Sequence, residues 1–125
     1  MAKKRILVID DSLDITTPLK LYLEKTGIFE VRVESEGAQG VTVARQFHPD
    51  LILLDVVMPD VDGGDVAAEI EEDPTLKQTP IVFLTASVTK QEAGAVGGTV
   101  GGKALLSKLT SLSEIVEYIK RRLGP

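Results

Sequence analysis

Residues 52–64 read ILLDVVMPDVDGG. With Leu51 in front, four aliphatic residues run without a break into a carboxylate, Asp55, and a Met-Pro pair with two further acids follows at once. An uninterrupted apolar run cannot alternate between core and solvent. Residues 51–54 are therefore apolar on both faces, as a central strand of a parallel sheet must be. Asp55 then stands where the strand leaves the core.

Four other segments read as strands. RILVI at 5–9 is short, rich in β-branched residues and ends at Asp10-Asp11; IVFLT at 81–85 is as apolar as 51–54; ALLS lies at 104–107. FEVRV at 29–33 alternates, as a half-buried edge strand does. Helical patterns separate them. Leu19, Tyr22, Leu23 and Thr26 share one face, and Gly27 closes that helix. Pro18 fits as the first helical residue after a Thr17 cap, or as a kink in a helix begun at Leu13. Residues 36–47 form a second helix that stops before His48-Pro49, and Asp62 caps a third that Asp73-Pro74 ends. Thr89…Glu92 and Ser111…Glu114 have capping-box spacing and open a fourth and a fifth.

Strand and helix thus alternate five times, which predicts a parallel sheet covered by helices on both faces. Right-handed crossovers leave few topologies. The expectation is a doubly wound (βα)5 α/β fold, a flavodoxin-like three-layer sandwich with strand order 2-1-3-4-5, formed by residues 1–125 as a single domain without linker or repeat. A chain of 125 residues suits one core.

Composition excludes several classes. The net charge is −5 and the 14 Lys and Arg are scattered, which argues against a nucleic-acid face. There is no cysteine, so disulfides and thiolate metal sites are out. The apolar run after the basic MAKKR is too short for a signal peptide. No run approaches the roughly 20 residues of a membrane span. A soluble, cytoplasmic protein is expected.

On the predicted frame the polar residues collect at one rim. Asp10 and Asp11 follow the first strand, Asp55 ends the third, Thr85 ends the fourth and Lys108 follows the fifth. In order 2-1-3-4-5 those four strands are contiguous, and ligands of such sheets sit outside their carboxyl ends. Three carboxylates so close repel one another and raise each other's pKa. A cation relieves them, and oxygen-only ligands without His or Cys favour Mg²⁺ over zinc. One ammonium and one divalent ion would nearly cancel three carboxylates. A carboxylate can attack phosphorus to form an aspartyl phosphate. The hydroxyl of Thr85, the backbone N–H of Ala86 and the ammonium of Lys108 suit the three equatorial oxygens of a phosphoryl group in transfer.

VIDDS at 8–12, LLDVVMPDVDG at 53–63, LTA at 84–86 and Lys108 after the last strand resemble, in that order and spacing, the receiver domain of a two-component response regulator. The resemblance spans nearly the whole chain and implies roles. Asp55 would be the phospho-acceptor. Asp11 and Asp55, with the carbonyl of Val57, would bind Mg²⁺, with Asp10 acting mostly through water. Thr85, Ala86 and Lys108 would contact the phosphoryl group, and Met58-Pro59 with Asp62-Gly63 would shape the loop over the site and start the third helix. The implied function is a phosphorelay switch. A sensor histidine kinase or histidine phosphotransfer protein donates to Asp55, the domain catalyses its own phosphorylation and dephosphorylation rather than acting as an enzyme on others, and an unknown downstream protein reads the result. Val57 and Ser87 would tune hydrolysis, and a dimer through the fourth helix, fifth strand and fifth helix is possible.

Two departures stand out. Most receivers carry Pro, after a cis peptide, where this chain has Leu109; a cis bond without Pro costs about 2.5–4 kcal/mol, so the bond is open to the trans form, and the aim of Lys108 then no longer follows from the resemblance. Many carry Tyr or Phe where this chain has Leu105, so an aromatic flip coupled to Thr85 cannot operate. GAVGGTVGGKA at 94–104 nearly spells a phosphate-binding loop, but it follows a helix and opens a strand, the reverse of what a P-loop needs. Its glycines predict instead a short, soft fourth helix. The alternative is a degenerate receiver that binds partners without a phosphate cycle. An Asp-nucleophile phosphatase of the haloacid-dehalogenase kind would need a D-x-D motif after the first strand, which is absent. Asp60 and Asp65 read as solvated or helix-start acids, His48 as remote from the rim, and Tyr22 and Phe83 as core.

Overall fold

The computed structural model describes residues 3–86, 98–100 and 103–124, the stretch 98–100 by its backbone. Its elements are β1 (Lys4–Ile9), α1 (Leu13–Lys25), β2 (Phe29–Glu34), a 3₁₀ turn (Gly37–Gln39), α2 (Gly40–Phe47), β3 (Leu51–Asp55), α3 (Gly63–Glu72), β4 (Ile81–Thr85), β5 (Gly98–Val100), β6 (Lys103–Ser107) and α4 (Leu112–Leu123). The sheet order is β2-β1-β3-β4-β6-β5, parallel throughout except for the β5–β6 pair. The expected order 2-1-3-4-5 is therefore present with β6 as the fifth parallel strand. The sixth strand is an addition: Thr99 and Val100, between two pairs of glycines, lie antiparallel along the outer edge of β6, where unpaired ladder groups would otherwise remain. The predicted fourth helix at Thr89…Glu92 lies outside the described residues.

Alternate residues of β1, β3, β4 and β6 feed two cores. Leu7, Ile9, Ile52, Leu54, Phe83 and Leu105 face α2 and α3, whereas Ile6, Val8, Leu53, Val82, Leu84 and Leu106 face α1 and α4. This is the three-layer arrangement. α1 begins at Leu13 and carries Pro18 inside, so the helix begun at Leu13 holds over the Thr17 cap. The second helix starts as a 3₁₀ turn and becomes α-helical only at Gly40. It ends on His48 in the left-handed region at φ 53, far from the acidic rim. Tyr22 is a correction: it is 40% exposed, because Leu19 and Leu23 hold the buried stripe of α1.

The uniform apolarity of residues 6–9 in β1 and 51–54 in β3 leaves their mutual register undetermined by hydrophobicity alone. Polar groups set it. Asp50 N–H donates to the Arg5 carbonyl at 2.7 Å, Arg5 N–H donates back to Asp50 Oδ2 at 2.8 Å, and the Arg5 guanidinium reaches the Phe47 carbonyl at 2.9 Å. Ile9 then pairs with Leu54, and the next residue on each strand is Asp10 and Asp55.

The loop after β3 is tied to the start of α3. Gly63 N–H donates to the Val56 carbonyl at 2.9 Å, Val57 bridges to Asp62, and Asp62 caps the helix by accepting from Gly64 N–H at 2.7 Å. A Cβ on Gly63 would lie 2.1 Å from the Asp55 carbonyl oxygen and 2.9 Å from Val56 Cα. Both are backbone atoms that cannot step aside. Gly63→Ala is expected to cost about 1–3 kcal/mol, the usual range for overpacking, read as a lower midpoint in urea unfolding at unchanged slope.

Candidate active site at the carboxyl ends of the strands

Asp10 and Asp55 come together because of the β1–β3 register, and both are buried, at 0% and 3% exposure. Lys108, one residue past β6, crosses to them. Its Nζ stands 2.9 Å from Asp10 Oδ2, 3.1 Å from Asp10 Oδ1 and 3.3 Å from Asp55 Oδ2. The peptide bonds of the described residues are trans, Lys108–Leu109 included. The open question about the aim of Lys108 is thereby answered: the ammonium reaches both carboxylates from a trans turn.

Local hydrogen bonds fix the remaining oxygens. Ser12 N–H donates to Asp10 Oδ1 at 2.9 Å, and Val57 N–H donates to Asp55 Oδ1 at 3.3 Å. Asp10, Asp11 and Asp55 each offer a carboxylate oxygen, all within 4.8 Å of one another. Asp11 is exposed, and among the described residues no donor engages its carboxylate. Asp10 Oδ2 is buried without a hydrogen bond of good geometry, although the ammonium lies beside it. Three hard oxygen donors with coordination capacity to spare, and no His or Cys among them, fit a magnesium-like cation.

The charges leave their mark on titration. Burial pushes the Asp55 carboxyl above its ordinary range, the negative charge of Asp10 adds to this, and Lys108 offsets only part of it. Burial disfavours the Lys108 ammonium, but the hydrogen bond and charge of Asp10, then the charge of Asp55, outweigh it and raise its pKa.

Thr85 ends β4 and is buried at 3% exposure, with its carbonyl accepting Lys108 N–H at 2.9 Å. It pairs with Ser107 across the sheet. Ala86 follows it, exposed. Leu105 is buried in the core at 6% exposure, in register with Phe83. Ser87 lies outside the described residues. Lys103, the lysine of the near P-loop sequence, sits in β6 and is paired with Glu71 of α3. Asp60 is more than a solvated acid: it accepts from Ala38 N–H at 2.9 Å, which lowers its pKa, and so joins the β3–α3 loop to the 3₁₀ turn. Spacing along the sequence carried no sign of that link.

The family model of the response regulator receiver domain matches residues 6–120. The chain belongs to that family. The receiver is 32% identical to the polar-differentiation response regulator DivK of Brucella abortus, over 99% of this chain and 98% of DivK. It is also 32% identical to the DNA-binding response regulator MtrA of Mycolicibacterium paratuberculosis, over 97% of this chain and 52% of MtrA. Among solved structures it is similar to the chemotaxis protein CheY4 of Vibrio cholerae, with a TM-score of 0.80, 28% identity, and coverage of 96% of this chain and 98% of that one. The receiver fold and the two-component signalling class are thereby established. No helix among the described residues is long and apolar enough to cross a membrane.

A raised pKa in the folded state means that ionising Asp55 opposes folding. The penalty is absent below the ordinary value of 3.8, grows as pH rises above it, and is complete above the folded pKa. In chelator at pH 7, Asp55→Asn is therefore expected to melt above the parent receiver, and the gap to close as the pH falls towards 3.8. Calorimetry across that range checks both the sign and the pH dependence.

Proposed function

We propose that this receiver is a phospho-acceptor switch, with Asp55 as the residue that takes the phosphoryl group. Support comes chiefly from the meeting of Asp55 with Asp10 on one side and Lys108 on the other, at the end of the sheet where such folds bind ligands. The donor is a phosphohistidine on a sensor kinase or a phosphotransfer protein. An oxygen of the Asp55 carboxylate forms a bond to phosphorus as the bond from phosphorus to the histidine nitrogen breaks. The electron pair leaves with the imidazole, and an aspartyl phosphate results. Raised basicity suits Asp55 to this attack.

In such a transfer the protein mainly places groups and balances charge. Lys108 already lies against the reacting carboxylate and can turn to an equatorial oxygen. Thr85 and the backbone N–H of Ala86 serve the remaining oxygens. Asp10, Asp11, Asp55 and the Val57 carbonyl would hold Mg²⁺, which, when bound, supplies positive charge beside the incoming phosphoryl group. Leu105 carries no aromatic ring or hydroxyl, so the change at Asp55 reaches a downstream partner through the backbone of the surrounding loops.

The test uses Mg²⁺ and a small phosphodonor, acetyl phosphate. Intact mass is expected to rise by one phosphoryl group in the parent and not in Asp55→Asn, and Lys108→Ala is expected to slow the gain by about 10²-fold or more, the usual loss for one preorganised electrostatic contact. A parent that gains nothing would sink the reading and leave an interaction module. Adding Mg²⁺ is expected to raise the melting temperature of the parent well above that of Asp55→Asn.

A further inference from the structure

Lys108 sits in a turn rather than a strand. Thr110 N–H donates to the Ser107 carbonyl at 3.0 Å, which closes a four-residue turn with Ser107 first and Lys108 and Leu109 in the middle. Within it, Leu109 N–H donates to Ser107 Oγ at 3.0 Å. A hydroxyl that accepts from the N–H two residues ahead reproduces the constraint of a backbone turn. Ser107 is 0% exposed, whereas Leu109 is 72% exposed and packs little.

A peptide unit is planar, so the direction in which a side chain leaves its Cα is set by the two planes that flank it. Both planes around Lys108 are tied. The preceding plane is held at its N–H by the Thr85 carbonyl, 2.9 Å away, and at its carbonyl by Thr110. The following plane is held through Leu109 N–H by Ser107 Oγ. Proline at the third position of such a turn would have no N–H to offer and is disfavoured there unless cis; this trans turn uses a serine instead. We infer that Ser107 is a positioning residue for the phosphoryl transfer, and that its hydroxyl aims the Lys108 ammonium by fixing the Lys108–Leu109 peptide plane. The inference rests on the phospho-acceptor reading of Asp55.

The experiment compares the parent, Ser107→Ala, Lys108→Ala and the double variant by the rate at which intact mass gains a phosphoryl group from acetyl phosphate with Mg²⁺. Ser107→Ala is expected to lose about 10-fold in maximal rate, short of the 10²-fold that a 1 Å misplacement can cost, with KM for acetyl phosphate and melting temperature near those of the parent. The double variant is expected to be no slower than Lys108→Ala, because Ser107 acts only through that lysine. Ser107→Thr keeps the acceptor oxygen and is expected to keep the rate. The inference is overturned if Ser107→Ala matches the parent rate or if the two losses multiply in the double variant. A threonine variant that melts like the parent yet is as slow as the alanine variant also overturns it. Should the parent itself gain nothing, it is the reading of Asp55 that fails, and the inference falls with it.

Discussion

One ammonium shared by two buried carboxylates holds the site together. Lys108 Nζ lies within 3.3 Å of both Asp10 and Asp55, and its side chain is only 8% exposed. Burying charge is expensive, and an ion pair repays the cost only when its geometry is good and its other lone pairs are satisfied. Here the match is deliberately short. Three acids face one ammonium, Asp10 Oδ2 has no well-formed hydrogen bond, and Asp55 is held above its ordinary pKa. The excess negative charge that opposes folding is also the feature that would favour a cation beside these oxygens.

That arrangement depends on register far from the site. Residues 6–9 of β1 and 51–54 of β3 are apolar on both faces, so sliding one past the other by a residue would still pair aliphatic with aliphatic. The two-way hydrogen bonding between Arg5 and Asp50 at the opposite end of the strands removes the freedom. A slip of one residue there would break both bonds and would also draw a carboxylate at the other end into the ladder beside Leu54 or Ile9. Polar stops at both ends thus do what alternation does in an amphipathic strand. The outer edge of β2 is guarded in a related way. The Lys4–Ile28 and Asp10–Glu34 bonds show that the backbone groups of even-numbered residues along β2 face β1, so the N–H and carbonyl of Val31 face the open edge while its side chain stays buried in the core. Glu24 accepts its N–H at 3.2 Å and Lys20 donates to its carbonyl at 2.8 Å, which leaves less for a foreign strand to pair with.

Much of this was legible in the sequence because few physical solutions exist for an apolar run that ends in an acid. Residues 51–54 required burial on both faces, five strand segments separated by helical patterns required a doubly wound sheet, and polar residues at four strand ends required a common rim. The caps at Asp62 and Ser111 were equally readable, since a short acceptor at the right offset has a local effect. What escaped depended on partners distant in sequence. The edge strand Gly98–Val100 exists through its pairing with β6, and its glycines alone argued for softness. Tyr22 has helical spacing with Leu19 and Leu23, but the helix turns it outward. Asp60 looks like any loop acid until Ala38, 22 residues away, donates to it.

The misplaced doubt about Lys108 is the most informative of these cases. Leu109 in place of proline put the aim of Lys108 in question, because one way of shaping the turn had gone. The turn has another. Ser107 accepts the N–H that a proline would lack, Thr85 and Thr110 tie the preceding peptide, and the long lysine side chain absorbs the remaining difference in path. A position in a functional loop is therefore better judged by which peptide planes are tied, and by what, than by the residue that usually stands there. By the same reasoning Leu105 is a different kind of substitution. No neighbouring group can supply an aromatic hydroxyl, and a leucine at 6% exposure in the core beside Phe83 has no outward polar end to favour an exposed rotamer. The first departure is repaired locally and leaves the Lys108 ammonium against Asp10 and Asp55, whereas at the second nothing stands in for the missing ring.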